Sequence, residues 1–377
     1  MNGAPSQGNA LRVAPLVLGP GEDLPHRATA QVGRHRVDLQ SSHALAASAE
    51  AMPSAFLLPA MARGADLRIE EAVCGDWRAN IDTVRELAAR WWDFSGGAVV
   101  APATRTLAAR PGTALFFGGG VDSLYSLTQR SDQIDALVYV RGFDVVLADP
   151  ERLRRVDAWN RRVAEAAGKD LITVRTDLRT VPEFRLAAWE IAHGGALAAV
   201  AHLLAAHAGH FIVPSSQPTW VEIPWGSNAD LDPAWSSAAV RLECHGSDRD
   251  RFAKVAAIAE QPLAHEFLRV CWQNRGDDPN CGVCEKCVRT QLEFVAAGTF
   301  GRLRTFPPGN LAERIDALPG VTALIERNYR EIVDRLDDAG LRDSVNSLIA
   351  RSGAWQRRQR WRGRLVDAAR FLRWRFR

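Results

Sequence analysis

Thr113-Ala114-Leu115-Phe116-Phe117-Gly118-Gly119-Gly120-Val121-Asp122-Ser123-Leu124 reads as a short buried strand, a glycine turn and the start of a helix. The apolar run Ala114–Phe117 stops at three glycines, and helical spacing resumes over Ser123–Arg130. Glycines immediately after a buried strand let the backbone approach a ligand closely. The helix that follows aims free N–H groups and its positive dipole end at the same point, which makes an anion site. Ser123 can donate its hydroxyl to a phosphate, and Asp122 supplies the carboxylate that magnesium prefers. A tight turn with no ligand is the plain alternative.

Downstream, the same alternation repeats. Ala136–Val140 is expected as a second strand and Glu151–Ala167 as an amphipathic helix, with Leu153, Val156, Trp159 and Val163 on one side. Leu171–Val174 is a third strand, Ala187–Ala208 a long helix and Phe211–Val213 a fourth strand. Strands separated by helical crossovers predict an α/β fold, a parallel sheet with helices on both faces. Ligands of such sheets bind at the carboxyl ends of the strands, where the glycine triplet lies.

Upstream, the reading is of a small α+β domain over residues 1–108. Thr29–Val32 and His35–Leu39 form a hairpin about Gly33-Arg34, and Asp76–Trp92 is a helix with Asp76 as its N-cap. In that helix Ile81, Val84, Leu87, Ala88 and Trp91 share a face. Pro102–Gly112 reads as a linker. The nucleotide-type domain is placed at 109–300, and a helical region at 301–377 ends in a basic tail.

Composition narrows the class. The chain has 377 residues, 47% hydrophobic and 24% charged, which excludes a mostly disordered or fibrous protein. The most apolar stretch, Ala196–Ala206, contains His202 and falls short of the roughly 20 apolar residues a membrane span requires. The first residues show no basic start followed by an apolar run, so the expectation is a cytoplasmic protein. The formal charge of +3 hides an asymmetry, because residues 355–377 hold nine arginines against one aspartate. Trp361, Leu365, Ala368, Leu372 and Phe376 recur there at helical spacing, a pattern that suits an anionic membrane surface, RNA phosphate or the protein's own acidic body.

Four of the six cysteines lie close together, as Cys271, Cys281, Cys284 and Cys287. Thiolates at this spacing can close a tetrahedral site with no open position, which points to structural zinc; an iron–sulfur cluster uses the same ligand type. Cys74 and Cys244 stand outside the pattern and read as ordinary thiols. Trp189, Trp220, Trp225 and Trp235 fall among prolines between the two motifs. They either staple a loop or wall an organic substrate, with Glu222, Asp230 and Asp232 as polar anchors. His193 opens the long helix and is expected near the active edge. His202, His207 and His210 lack metal spacing. Arg251 and Lys254 share a helical face, either to stabilise departing pyrophosphate or as a solvated surface.

The glycine loop is neither a G-x-x-x-x-G-K-[ST] nor a G-x-G-x-x-G motif. Written Gly118-Gly119-Gly120-Val121-Asp122-Ser123, it resembles the S-G-G-x-D-S loop of the PP-loop ATP pyrophosphatases. Paired with C…CGxCxxC, it is similar to the 7-cyano-7-deazaguanine synthase branch of that superfamily, over about residues 112 to 297. The resemblance implies an adenine nucleotide alpha hydrolase-like fold and an ATP-binding loop from Gly118 to Ser123, with magnesium at Asp122. It further implies zinc on the four cysteines. The implied reaction is adenylation of a small carboxylate or carbonyl oxygen, releasing pyrophosphate, followed by attack of ammonia or an amine.

Gly118 departs from the family serine and removes a hydroxyl contact of about 1–3 kcal/mol. The long N-terminal region and the basic tail imply a relative acting on another substrate, and a homodimer is compatible with the sequence. A sulfur-transferring tRNA enzyme and a nucleotide-binding protein without turnover are the rival readings.

Overall fold

The structure is a computed structural model that describes residues 10–375, with the side chains of 360 and 362–375 outside the description. Its chain forms two compact units, Met1–Asp250 and Arg251–Arg377. Neither sequence boundary, 108/109 or 300/301, coincides with the break between units.

The first unit starts with β1 (Ala10–Val13), β2 (Val17–Pro20), β3 (His26–Val32) and β4 (His35–Ser41). Then come α1 (Ala51–Met61), β5 (Asp66–Ile69), β6 (Val73–Cys74), α2 (Gly75–Trp92), β7 (Val99–Val100) and β8 (Thr104–Arg105). The expected hairpin is present, with Gly33 at positive φ in its turn. Helix α2 is present too, but Cys74 stands at its N-cap and Asp76 in its first turn. Among the residues expected on its buried face, Ile81, Val84, Leu87 and Ala88 are buried, whereas Trp91 is only half-buried.

The alternating region supplies β9 (Thr113–Phe116), α3 (Val121–Gln129), β10 (Ala136–Arg141), α4 (Pro150–Ala167), β11 (Asp170–Thr176), α5 (Trp189–Leu203) and β12 (His210–Pro214). A short α6 (Leu231–Ala234) and a further strand, β13 (Arg241–His245), complete the unit. Helix α4 begins on Asp149, whose side chain accepts the Arg152 amide, and ends at Gly168 in the left-handed region.

Among the described residues one sheet of eleven strands runs β13-β12-β9-β10-β11-β4-β3-β1-β5-β7, with β2 paired to β3. The five strands from β13 to β11 are parallel. The protein is therefore an α/β protein with a mostly parallel central sheet flanked by helices. Chain order in that parallel part reverses beside β9: the chain moves outward to β10 and β11, then returns to β12 on the other side.

The N-terminal segment is not a separate layer. Strand β4 adds antiparallel to β11, with Val174 opposite Ser41 and Thr176 opposite Leu39. Helix α1 lies against α5, where a Cβ on Gly195 would meet the Ser54 carbonyl oxygen at 2.3 Å. One continuous apolar core thus joins Val32, Leu39 and Phe56 with Phe116, Val138 and Phe211.

The second unit is helical among the described residues. It comprises α7 (Arg251–Ile258), α8 (Pro262–Phe267), α9 (Glu285–Ala296), α10 (Leu311–Asp316), α11 (Ala323–Val333) and α12 (Ala339–Arg375). Val288, Leu292, Ile315, Tyr329, Ile332 and Leu348 form its core. The side chains of Leu365, Ala368 and Leu372, and all of Phe376, fall outside the described residues; Trp361 is exposed. No helix among the described residues is long and apolar enough to cross a membrane.

Candidate functional site

Strand β9 is buried on both faces, as its continuous apolar run requires, and its chain leaves the sheet at Phe117. Gly119 takes φ +79, a conformation that admits glycine at little cost, and Gly120 is the extended N-cap of α3. Val121, Asp122 and Ser123 form the first turn, whose amides have no helical acceptor. The Ser123 hydroxyl donates to the Gly120 carbonyl at 3.1 Å, and Asp122 is half-buried. The six residues of the loop thus share one strand-to-helix turn. It lies at the carboxyl end of β9, beside the reversal of strand order, which is where doubly wound sheets hold ligands.

A serine fits at the first glycine. A Cβ on Gly118 would meet only Asp144 Oδ2, at 3.6 Å, and the backbone there is not left-handed. Asp144 follows β10 and is exposed. Its negative charge also reaches His193 in the first turns of α5. Burial holds the His193 imidazole below its usual range, and its Nδ1 lies 3.0 Å from the Trp189 carbonyl oxygen.

From His193 a chain of rings runs along this edge. Trp189 packs on Phe143 at 5.0 Å and on His193 at 5.7 Å; His193 in turn meets Trp225 edge-on at 5.7 Å. Two glycines allow that approach. A Cβ on Gly194 would lie 1.9 Å from the Gly226 carbonyl oxygen, and one on Gly226 would lie 2.1 Å from that of Ile191.

Beyond Trp225 a cavity of about 510 Å³ opens, within the range of small-molecule sites. Its walls come from α2, through Arg90 and Trp91, from the segment after β12, through Glu222, Trp225 and Asp230, and from Ser247 after β13. The loop between Trp225 and Asp232 is braced from within. Asn228 donates to the Trp225 carbonyl and accepts from the Asp230 and Leu231 amides, while Ser227 donates to Asp232. Of the tryptophans and acids singled out in the sequence, Trp225, Glu222 and Asp230 line this cavity together. Trp235 and Asp232 are core residues, and Trp220 is exposed outside the lining. Arg90 and Trp91 were not expected here, since they lie on a helix far upstream.

The histidines without metal spacing have structural partners: His202 Nε2 lies 3.0 Å from the Trp235 carbonyl, His207 Nε2 lies 2.8 Å from that of Ala44, and His210 pairs with Glu243. Comparison of the chain with protein-family models, curated proteins and solved structures finds no match. Its own geometry therefore carries the functional argument.

The second unit holds the candidate metal centre. The Sγ atoms of Cys271, Cys281, Cys284 and Cys287 all lie within 4.8 Å of one another, and those of Cys281 and Cys287 are 3.9 Å apart. Zinc–sulfur bonds of about 2.3 Å in a tetrahedron put sulfurs about 3.8 Å apart, so the four residues fit the ion. The Cys284 amide donates to Cys281 Sγ, and Gly282 has the positive φ that such a turn demands. Cys284 is the N-cap of α9 and Cys287 lies in its first turn. Fully buried Asn280 fastens the upstream arm, accepting from the Val270 and Cys271 amides and donating to the Leu268 and Thr305 carbonyls.

Such packed thiols cannot all ionise by themselves. Hydrogen bonds from its neighbours hold Cys271 far below the usual thiol range, while the same contacts push Cys284 up to about 12 and Cys287 further. A divalent cation would remove that conflict, because it binds thiolates.

Arg251 and Lys254 begin the same unit. Arg251 donates to Glu293 at 2.8 Å and to Thr290 at 2.9 Å, and Lys254 is buried. Glu293 is itself buried and also lies 3.7 Å from Arg289, so the Arg251 charge serves a partner that would be costly to leave unpaired. Neither side chain is presented as an open surface cation.

Proposed function

We propose that the protein is an ATP-consuming adenylating enzyme of the PP-loop type, built on an adenine nucleotide alpha hydrolase-like fold. The observation that carries this reading is the Gly118–Ser123 turn, which brings three glycines and a helix N-terminus to the carboxyl end of β9 at the reversal of strand order. In this reading the loop amides and Ser123 hold the β- and γ-phosphates. Asp122 offers an oxygen ligand to magnesium, and Asp144 stands beside Gly118 as a second.

A substrate carboxylate oxygen attacks the α-phosphorus, and the bond to pyrophosphate breaks. A nitrogen nucleophile then attacks the acyl carbon, the bond to AMP breaks, and the nitrogen loses a proton. The protein's part is to align the reactants and neutralise the growing charge on pyrophosphate. The four cysteines would hold zinc in a structural role.

Turnover with magnesium, ATP, a panel of carboxylates and an amine or ammonia tests the proposal. AMP and pyrophosphate that appear only with a particular acid are the expected products. ADP and phosphate would contradict the PP-loop reading, and ATP binding without cleavage would leave a nucleotide-binding protein.

A further inference from the structure

The cavity beside Trp225 says more about the nitrogen nucleophile. Ammonia is close to water in size and needs roughly 30 Å³. A cavity of about 510 Å³ is far larger than that. Its walls are apolar where Trp91 and Trp225 face it, and charged where Arg90, Glu222 and Asp230 do. The carboxylates of Glu222 and Asp230 make no hydrogen bond or ion pair with another described residue. Arg90 has a cation–π partner, lying 5.6 Å from the Trp91 ring centroid. The balance of open charge is thus negative, and aromatic walls with open carboxylates are the chemistry that recognises an organic cation.

We propose that this cavity binds the nitrogen donor, and that the donor is a primary amine on a flat apolar body, captured as its ammonium by Glu222 and Asp230; it gives one proton to a carboxylate or to water to free its lone pair before attack, and the nitrogen sheds the second as AMP leaves. The apolar body packs against Trp225, whose far side is fixed by His193. The Asn228 and Ser227–Asp232 bonds fix the loop backbone at Trp225 and Asp230 before any ligand arrives, so the loop itself needs little ordering on binding. The binding site stands on these residues alone; its role as the donor site rests on the adenylation reading.

Calorimetric titration of the whole protein with tryptamine and with indole-3-propionate, which share a ring and carry opposite charge, tests the assignment. Tryptamine is expected to bind and the acid to bind roughly tenfold or more weakly. The double variant Glu222→Gln/Asp230→Asn is expected to weaken tryptamine roughly tenfold or more, while Arg90→Gln, which removes the opposing cation from the wall, is expected to tighten it. All three substituted side chains are exposed, and matched melting temperatures check the fold.

Acid binding better than amine, or tryptamine binding unaffected by the double variant, overturns the proposal. ATP binding is measured on the same samples. If ATP binds and tryptamine does not, the amine site alone fails. If tryptamine binds and ATP does not, the amine site stands and the adenylation reading fails.

Discussion

At Gly118 a serine would add a hydroxyl where the nearest atom is a carboxylate oxygen 3.6 Å from the Cβ position. Nothing in the turn resists it, whereas the φ of +79 at Gly119 does resist a side chain. Gly118→Ser is therefore expected to fold as the parent does. It should tighten ATP by about fivefold to a hundredfold, the worth of one hydrogen bond to phosphate. An equilibrium ATP titration reads this directly, and weaker binding would mean the hydroxyl does not face phosphate.

Asp232 makes stability depend on pH. Burial raises its carboxyl from 3.8 to about 7, against opposing hydrogen bonds from Ser227 and Cys244. The folded state keeps its proton where the unfolded chain has lost it. Asp232 therefore lowers stability progressively as pH rises from about 4 to about 7, by on the order of 1 kcal/mol per unit. Asp232→Asn should gain on the parent over that window, as read by denaturant midpoints near pH 5 and pH 8. Parallel curves would show that Asp232 ionises normally.

Among the elements, α9 depends most on something outside its own sequence. Its N-cap is Cys284, with no side-chain hydrogen bond to the first-turn amides, and Cys287 lies in the first turn. Metal at these two residues would fix the start of the helix whose Val288 and Leu292 belong to the second unit's core. Purified protein should hold about one zinc per chain. Cys284→Ser should lose it and cost more than about 4 kcal/mol, the range of metal loss. Iron with a visible chromophore would overturn the zinc assignment.

The elements also show what the sequence discloses. Strands β9 to β12 were legible because each is a short apolar run, and those of β9 and β10 are followed by helical spacing. The cysteines were legible because ligand spacing is itself geometric. Helix α1 was missed: all eleven of its residues are buried, so no period separates a core face from a wet one. Strand β13, Arg241-Leu-Glu-Cys-His245, was missed because only Leu242 is fully buried. Part of the cavity wall was hidden for a different reason, since Arg90 and Trp91 join Trp225 through tertiary packing alone.

For the whole molecule, the continuous sheet matters most. Residues 1–108 look in sequence like a domain of their own, yet β4 completes the hydrogen bonding of β11, and the Asp38 amide donates to Asp177 across 139 positions. Separated strands that pair leave no local trace in sequence. A chain lacking 1–108 is expected to self-associate or precipitate, since the bare flank of β11 would offer unpaired backbone next to buried Ile172 and Val174. Size-exclusion chromatography checks this, and a stable monomer would show that the parallel strands fold alone.

The same pairing sets an order of events during synthesis. Strands β3 and β4 leave the ribosome long before β11 exists, so the first hairpin must wait with one flank open until residues 170–176 emerge. Closing so long a loop is slow compared with forming a helix, and the waiting hairpin is the stage at which a chaperone would find this chain.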